Sequence, residues 1–210
     1  MRKELAECDE PNDERSTLGA SSSGRPSRLS RFRLPYLLGQ YPPRVIWATF
    51  LFVNGFLTIG LLAMVAMLSG TPLVFPSLGP TTFMLFHNPM QPAASPRNTI
   101  CGHAIGILCG YAALWLTGLT DDPPTMVEHL NAARVLCAAL ALALTGVLMV
   151  LLNIWHPPAG ATTLIIALGY ITEPYHLLIV EAAVAILVLQ ALAINRLAGI
   201  EYPLWTCVRK

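Results

Sequence analysis

From Val45 to Pro96 the chain contains no Asp, Glu, Lys or Arg, and the same holds for Asn98–Thr120, Val135–Thr172 and Ala182–Asn195. Nothing else in the sequence constrains the fold as much. A soluble globule cannot enclose apolar runs of that length, and a disordered chain would not contain them. Only 12% of the residues are charged, against about 25% in a typical soluble domain. That charge crowds to the front, where residues 1–44 hold 8 of the 13 Lys/Arg and 6 of the 12 Asp/Glu. No stretch shows the short alternating strands of a membrane β-barrel. The expectation is an all-α polytopic membrane protein.

The first 44 residues read as a tail. Glu4, Glu7, Asp9, Glu10, Asp13 and Glu14 precede a Ser21-Ser22-Ser23-Gly24 stretch with no apolar periodicity, which predicts disorder. These acids argue against an organelle transit peptide, which is acid-poor. Arg25, Arg28, Arg31, Arg33 and Arg44 follow with no acid between them. Positive charge beside a first span stays cytoplasmic and attracts anionic headgroups. Val45–Ser69 is then an uncleaved signal anchor. The protein is expected in the cell membrane as a multi-pass chain with both termini cytoplasmic, residues 201–210 forming a short C-terminal tail.

Four runs are long enough to cross a bilayer: Val45–Ser69, Thr99–Leu119, Val135–Trp155 and Leu177–Asn195. Two shorter apolar pieces, Pro76–Phe86 and Pro157–Leu168, lie between them. Each is roughly 17 Å long as helix, about half a bilayer. Their openings match: Pro76-x-x-Gly79-x-Thr81-Thr82 repeats as Pro157-x-x-Gly160-x-Thr162-Thr163. Arg44-Val45-Ile46-x-Ala48, which opens the first long run, matches Arg134-Val135-Leu136-x-Ala138, which opens the third. The order span, short helix, span occurs twice, so the transmembrane domain at 45–200 reads as an internal duplication with halves near 44–119 and 134–200. Transporters are often built this way, with discontinuous helices in corresponding places. If the short pieces are re-entrant there are four crossings. If they cross as half-helices there are six, and the halves are inverted. Their half-bilayer length favours four.

Asn153-Ile154-Trp155-His156-Pro157-Pro158-Ala159-Gly160-Ala161-Thr162-Thr163 is the densest motif in the chain. With the Pro76-Ser77-Leu78-Gly79-Pro80-Thr81-Thr82 segment and the Ser95-Pro96-Arg97-Asn98-x-x-x-Gly102-His103 opening of the second span, it resembles the HPP family of integral membrane proteins, named for His-Pro-Pro. The resemblance covers about 44–200. It implies four membrane spans and, from the photosynthetic members, nitrite transport. Some bacterial members carry regulatory CBS domains after the membrane part; none follows here before Lys210, so nucleotide regulation of that kind is not implied.

The residues support a physical reading of their own. Two half-helices starting near Gly79 and Gly160 would present unpaired N–H groups and the positive end of the helix dipole. Thr81, Thr82, Thr162 and Thr163 add hydroxyl donors. If the halves face one another, these groups form one small-anion site without a buried formal cation. The alternative is that Pro-x-x-Gly merely makes a turn, with the threonines capping the backbone. His156 could stabilise an anion, carry a proton with it, or cap the turn. Arg97 recruits anions at the mouth or simply snorkels. His103 is a polar group inside an apolar run, and such groups are functional candidates by default.

Other features read as packing. Gly102, Gly106 and Gly110 form a tandem GxxxG that lets another helix approach closely, although the sequence does not name that helix. Asn54 and Gln190 are expected to hydrogen-bond between helices. Glu181, the one acid inside a long run, could be protonated, pair with His103 or sit at the interface. The five cysteines show no paired spacing, which predicts neither metal site nor disulfide framework. No acid pair or nucleophile with a base suggests an enzyme, and no cofactor or nucleic-acid partner is indicated. A pore for a small neutral solute and a non-transporting membrane subunit are the rival functions. The partners expected are the lipid bilayer and a small anion, with a homo-oligomer left open.

Overall fold

The computed structural model describes residues 33–206. Eight helices and one 3-10 turn make up this part, with no strand among the described residues. They are α1 (Leu34–Leu38), α2 (Pro43–Ser69), α3 (Leu78–His87), the turn Pro92–Ala94, α4 (Pro96–Thr117), α5 (Thr125–Glu128), α6 (Ala132–Leu151), α7 (Ala159–Ala167) and α8 (Pro174–Leu197). Of these, α2, α4, α6 and α8 are long and apolar enough to span a membrane. Local chemistry sets their ends. Pro43, Pro96 and Pro174 occupy first turns, where a missing N–H costs nothing. The side chains of Ser95 and Asn131 accept the N–H groups of Asn98 and Arg134. Gly70 and Gly118, at φ 66° and 70°, stop α2 and α4 in the left-handed conformation.

Hydrogen bonds sort these ends into two groups. At one end of the bundle Leu34 N–H donates to the Ala198 carbonyl (2.8 Å), Arg97 N–H to Trp205 (2.9 Å) and the Arg97 guanidinium to Asn153 (3.2 Å). The Tyr202 hydroxyl bonds the Ala94 carbonyl (2.6 Å) and Asn195 Nδ2 the Leu85 carbonyl (2.9 Å) at the same end. The start of α1, the ends of α3, α6 and α8 and the start of α4 therefore lie together. At the other end Thr125 N–H donates to Leu168, and Arg134 donates to the carbonyls of Asp122, Pro123 and Ala167. That gathers the 121–134 loop, the start of α6 and the end of α7.

Within the bundle each short helix continues away from the end at which the chain entered it. The chain leaves the far end after α2, descends through 71–77, and continues as α3 to the near end. In the second half it leaves the near end after α6, passes through 153–158, and continues as α7 alongside α4 to the far end. Residues 72–75 and 154–156 are free of turns, and tight turns at 76–77 and 157–158 start the short helices. Four helices, α2, α4, α6 and α8, are long and apolar enough to span a membrane, and α3 and α7 run in opposite senses between the two ends of the bundle.

Irregular backbone at membrane depth is tolerated only where protein encloses it. Both lead-ins meet that condition by alternation, the period-two signature of extended chain. Leu73, Phe75 and Ser77 are buried while Val74 and Pro76 are exposed; Ile154, His156 and Pro158 are buried while Trp155 and Pro157 are exposed. Pro72, Pro76, Pro157 and Pro158 also remove N–H donors that would otherwise need partners.

Packing is exchanged between the halves. Helix α4 lies mainly against α6 and α7, and α8 against α2, α3 and α4. The main apolar core joins Leu62 of α2, Leu78, Leu85 and Phe86 of α3, and Val180, Val184, Leu187 and Ala191 of α8. Flanking segments differ from the expected tails. Residues 1–32 and 207–210 lie outside the described residues. Within 33–44, α1 is helical with Leu34 buried, and in 201–206 Tyr202 is fully buried. Apolar Leu34 and Tyr202, both outside the long runs, account for the difference.

Candidate functional site

Helix α4 carries a glycine ladder, and α7 with its lead-in lies on it. A Cβ added to Gly102 would sit 2.7 Å from His156 Cβ. On Gly106 it would sit 2.8 Å from the Ala159 carbonyl oxygen and 2.9 Å from Thr163 Oγ1, and on Gly110 3.0 Å from Ile166 Cβ. The tandem GxxxG is thus a packing face whose partner is α7, and a side chain at these positions would push the two backbones apart. Contact this close brings His103, beside Gly102, against the start of α7.

His103 is the hub. Its ring is fully buried, with Nδ1 2.7 Å from Thr162 Oγ1 and Nε2 3.0 Å from Thr81 Oγ1. The equivalent threonines of the two matched motifs therefore meet on opposite nitrogens of one imidazole. His156 stacks beside it with ring centroids 5.0 Å apart and a 54° tilt. Its Nδ1 lies 2.7 Å from the Ala93 carbonyl, and its Nε2 3.4 Å from the same Thr81 oxygen. Thr81 also reaches the Ser77 carbonyl at 2.9 Å. A carbonyl can only accept, so His156 Nδ1 carries a proton.

The remaining expected residues divide. Thr163 Oγ1 bonds the Thr145 hydroxyl of α6 (2.9 Å) and its own Ala159 carbonyl (3.2 Å), one turn from the hub but facing another helix. Thr82 donates to Leu78 (2.7 Å) and lies against α2 near Gly55. A Cβ placed on Gly79 would meet nothing within 4 Å, and one on Gly160 only Leu142 Cδ1 at 3.4 Å; neither glycine approaches the cluster closely. Arg97 lies at the near end, its guanidinium on the carbonyls of Asn153 and Leu152. It ties α4 to the end of α6.

The N–H groups at the two short-helix starts, expected to be unpaired, are engaged. Leu78 and Gly79 donate to Phe75 and Pro76, and Ala159, Gly160 and Ala161 to His156, Pro157 and Pro158. Tight first turns consume these donors. The polar groups left to meet a solute are hydroxyls and imidazoles.

Other expectations also change. Asn54 bonds the Phe50 carbonyl of its own helix, and Gln190 has no partner. The interhelical amide is Asn195, on Leu85. Both Glu181 carboxylate oxygens lack partners, so the acid does not pair with His103. Arg134, which in the sequence only marks the repeat, is a buried cation held by three carbonyls. Ser77 Oγ and Thr99 Oγ1 are buried without partners, one turn before Thr81 and His103 respectively. Ser77 and Thr162 line a narrow crevice with Phe75, Ile165, Ile171 and Val180. The lone Thr145 in an apolar helix was a readable signal; the engagement of Ser77 and Arg134 depends on tertiary contacts.

Comparison with known proteins gives the family. The HPP transmembrane region is matched over residues 40–203. A transmembrane protein of Dictyostelium discoideum is 30% identical over 134 residues, 61% of this chain and 44% of that protein. The chain thus spans less than half the length of that relative. No solved structure matches. With most of its length matched, including the paired Thr-Thr motifs and the His-Pro-Pro turn, the chain belongs to the HPP family of integral membrane proteins.

Proposed function

We propose that the chain carries a small inorganic anion across the cell membrane, with nitrite the first candidate, and that Thr81, Thr162, His103 and His156 form its central site. One observation carries this reading: corresponding threonines of two oppositely running short helices converge on one buried imidazole. Inverted repeats that meet at discontinuous helices are the usual construction of a membrane transport site. In this reading the two halves are a duplication, and rocking one against the other exposes the cluster to each side in turn. Hydroxyl and imidazole donors replace the helix-start amides as anion ligands, and the dipoles of α3 and α7 add partial positive charge. The basic residues before α2 put both termini in the cytoplasm. Transport, not catalysis, is the role proposed.

Uptake into proteoliposomes of nitrite, nitrate, formate and chloride tests this. Thr162→Val keeps shape and removes a donor. A charge-assisted hydrogen bond is worth about 1.5–3 kcal/mol, so half-saturation should rise roughly tenfold to a hundredfold at normal expression. The lack of a formal cation in the cluster supports a second reading, a pore for a small neutral solute. Uptake of neutral solutes with no anion current would select it.

A further inference from the structure

The cluster contains more order than a binding site requires. Its donors and acceptors can be assigned by elimination. His156 Nδ1–H must donate to the Ala93 carbonyl, so in the neutral ring Nε2 is bare and accepts. The one hydroxyl facing it is Thr81. Thr81 gives its one proton to the Ser77 carbonyl at 2.9 Å, so its oxygen accepts from His103 Nε2–H. Neutral His103 is then bare at Nδ1 and accepts the Thr162 hydroxyl proton. Thr162 donates to His103 and His103 to Thr81, while His156 donates to Ala93; the link between Thr81 and the bare His156 Nε2, 3.4 Å away, is made when the Thr81 hydroxyl turns from Ser77.

The chain of bonds also has direction in space. Ala93 is in the turn at the near end, His156 lies at the level of Gly102, and Thr162 is on the side of the crevice lined by Ile171 toward the far end. Ser77, whose buried hydroxyl is unpartnered, lines the same crevice beside Thr162. The crevice is too narrow for a water molecule in this conformation, so proton entry at Thr162 needs it to widen.

We propose that Thr162, His103, Thr81 and His156 form a proton wire that loads one proton onto His156 from the Thr162 end. A proton arriving at Thr162 Oγ1 displaces the hydroxyl proton onto His103 Nδ1. His103 releases its Nε2 proton to Thr81, and Thr81 releases its own to His156 Nε2. One proton enters, only N–H and O–H bonds form and break, and the product is a His156 imidazolium whose Nδ1–H still rests on Ala93. Thr81 then accepts from His156 Nε2–H. Its own proton goes to the bare His103 Nε2 or to the Ser77 carbonyl at 2.9 Å. The wire thereby creates, on demand, the cation that the site otherwise lacks. Two imidazolium rings 5.0 Å apart would repel, so one proton is the capacity.

Charged and titratable groups on the packed elements are engaged elsewhere or lack contact with the rings. On α4, Arg97 bonds carbonyls, and Cys101 and Cys109 make no hydrogen bond to either ring. His87 of α3 packs on Trp47, Arg134 of α6 bonds carbonyls, and Glu181 of α8 has no partner. Helix α7 carries no ionisable residue.

The test has two arms, so that failure of the wire and failure of the transport reading are distinguishable. In the first, full-length protein with His87, His129 and His176 replaced by Gln is labelled with 15N-histidine in lipid bilayers and read by solid-state NMR. The wire requires His156 protonated at Nδ1 and His103 protonated at Nε2 when both are neutral. It also requires that Thr81→Val, but not Thr81→Ser, alter the pH at which His156 titrates. The reverse tautomer on either ring, or indifference to Thr81→Val, overturns it whether or not any solute moves. In the second arm, which rests on the transport reading, a pH dye inside proteoliposomes reports proton entry during nitrite uptake. Thr81→Val should cut proton entry per anion by at least fivefold, with Thr81→Ser restoring it. Nitrite uptake with no proton movement in the parent protein overturns the wire and leaves transport standing.

Discussion

Gly102 backs onto His156 so closely that a Cβ on the glycine would lie 2.7 Å from the Cβ of the histidine. The glycine ladder therefore sets where the His-Pro-Pro turn can sit. Gly102→Ala must move the lead-in of α7. Overpacking of this kind costs about 1–3 kcal/mol, and the thermal midpoint in detergent should fall by several degrees. Gly60→Ala in α2, where nothing lies within 4 Å, should leave the midpoint unchanged or raise it, since alanine gains about 1 kcal/mol in helix propensity. Equal effects at the two positions would count against the close approach.

Much of this architecture was legible from the apolar runs, because charge-free length and helical rise determine what can span a bilayer. The matched Pro-x-x-Gly-x-Thr-Thr motifs also pointed to two short helices. The extended lead-ins were not legible in the same way. Alternation at Leu73, Phe75, Ser77 and at Ile154, His156, Pro158 is disguised because the exposed positions Val74 and Trp155 face outward from a membrane bundle and are as apolar as the buried ones. Polar-out alternation, the usual signal of extended chain, vanishes there. His103 stands out as a histidine in an apolar run. Its joining of Thr81 and Thr162 depends on three elements meeting, which no local pattern encodes.

Arg134 should be a structural keystone of the far end. Its guanidinium donates to the carbonyls of Asp122, Pro123 and Ala167 at 2.9–3.3 Å, and it places positive charge at the C-terminal end of α7, where the dipole favours it. Arg134→Met strands these acceptors. Hydrogen bonds to a charged group are worth about 1.5–3 kcal/mol, so a loss of that order is expected in a denaturation midpoint. Arg134→Lys should recover only part of it, because an ammonium cannot fork across three carbonyls.

Thr145 and Thr163 join α6 to α7 by hydroxyls 2.9 Å apart. Hydrogen bonds between membrane helices average about 0.6 kcal/mol and reach about 1.7. A double-mutant cycle with Thr145→Val and Thr163→Val should return a coupling in that range. Additive effects would mean that each hydroxyl is satisfied by its own helix, through the Ala141 and Ala159 carbonyls.

A six-pass path, which the transport proposal entails, makes the sharpest prediction about topology. Gln40, before α2, and Thr206, after α8, lie at the near end, whereas Glu128 in α5 lies at the far end beside Leu168. In a cysteine-free background, Gln40→Cys and Thr206→Cys should react with an impermeant maleimide from one side of sealed vesicles, and Glu128→Cys from the other. Four crossings with re-entrant short pieces would instead put all three on the same side, because α2 and α4 alone bring the chain back to where it began before residue 121. The two arrangements differ by the extra pass that each lead-in makes with its short helix. Labelling of Glu128→Cys from the same side as Gln40→Cys would remove that pass and the opposed sense of the halves, and with it the meeting of Thr81 and Thr162 from opposite directions.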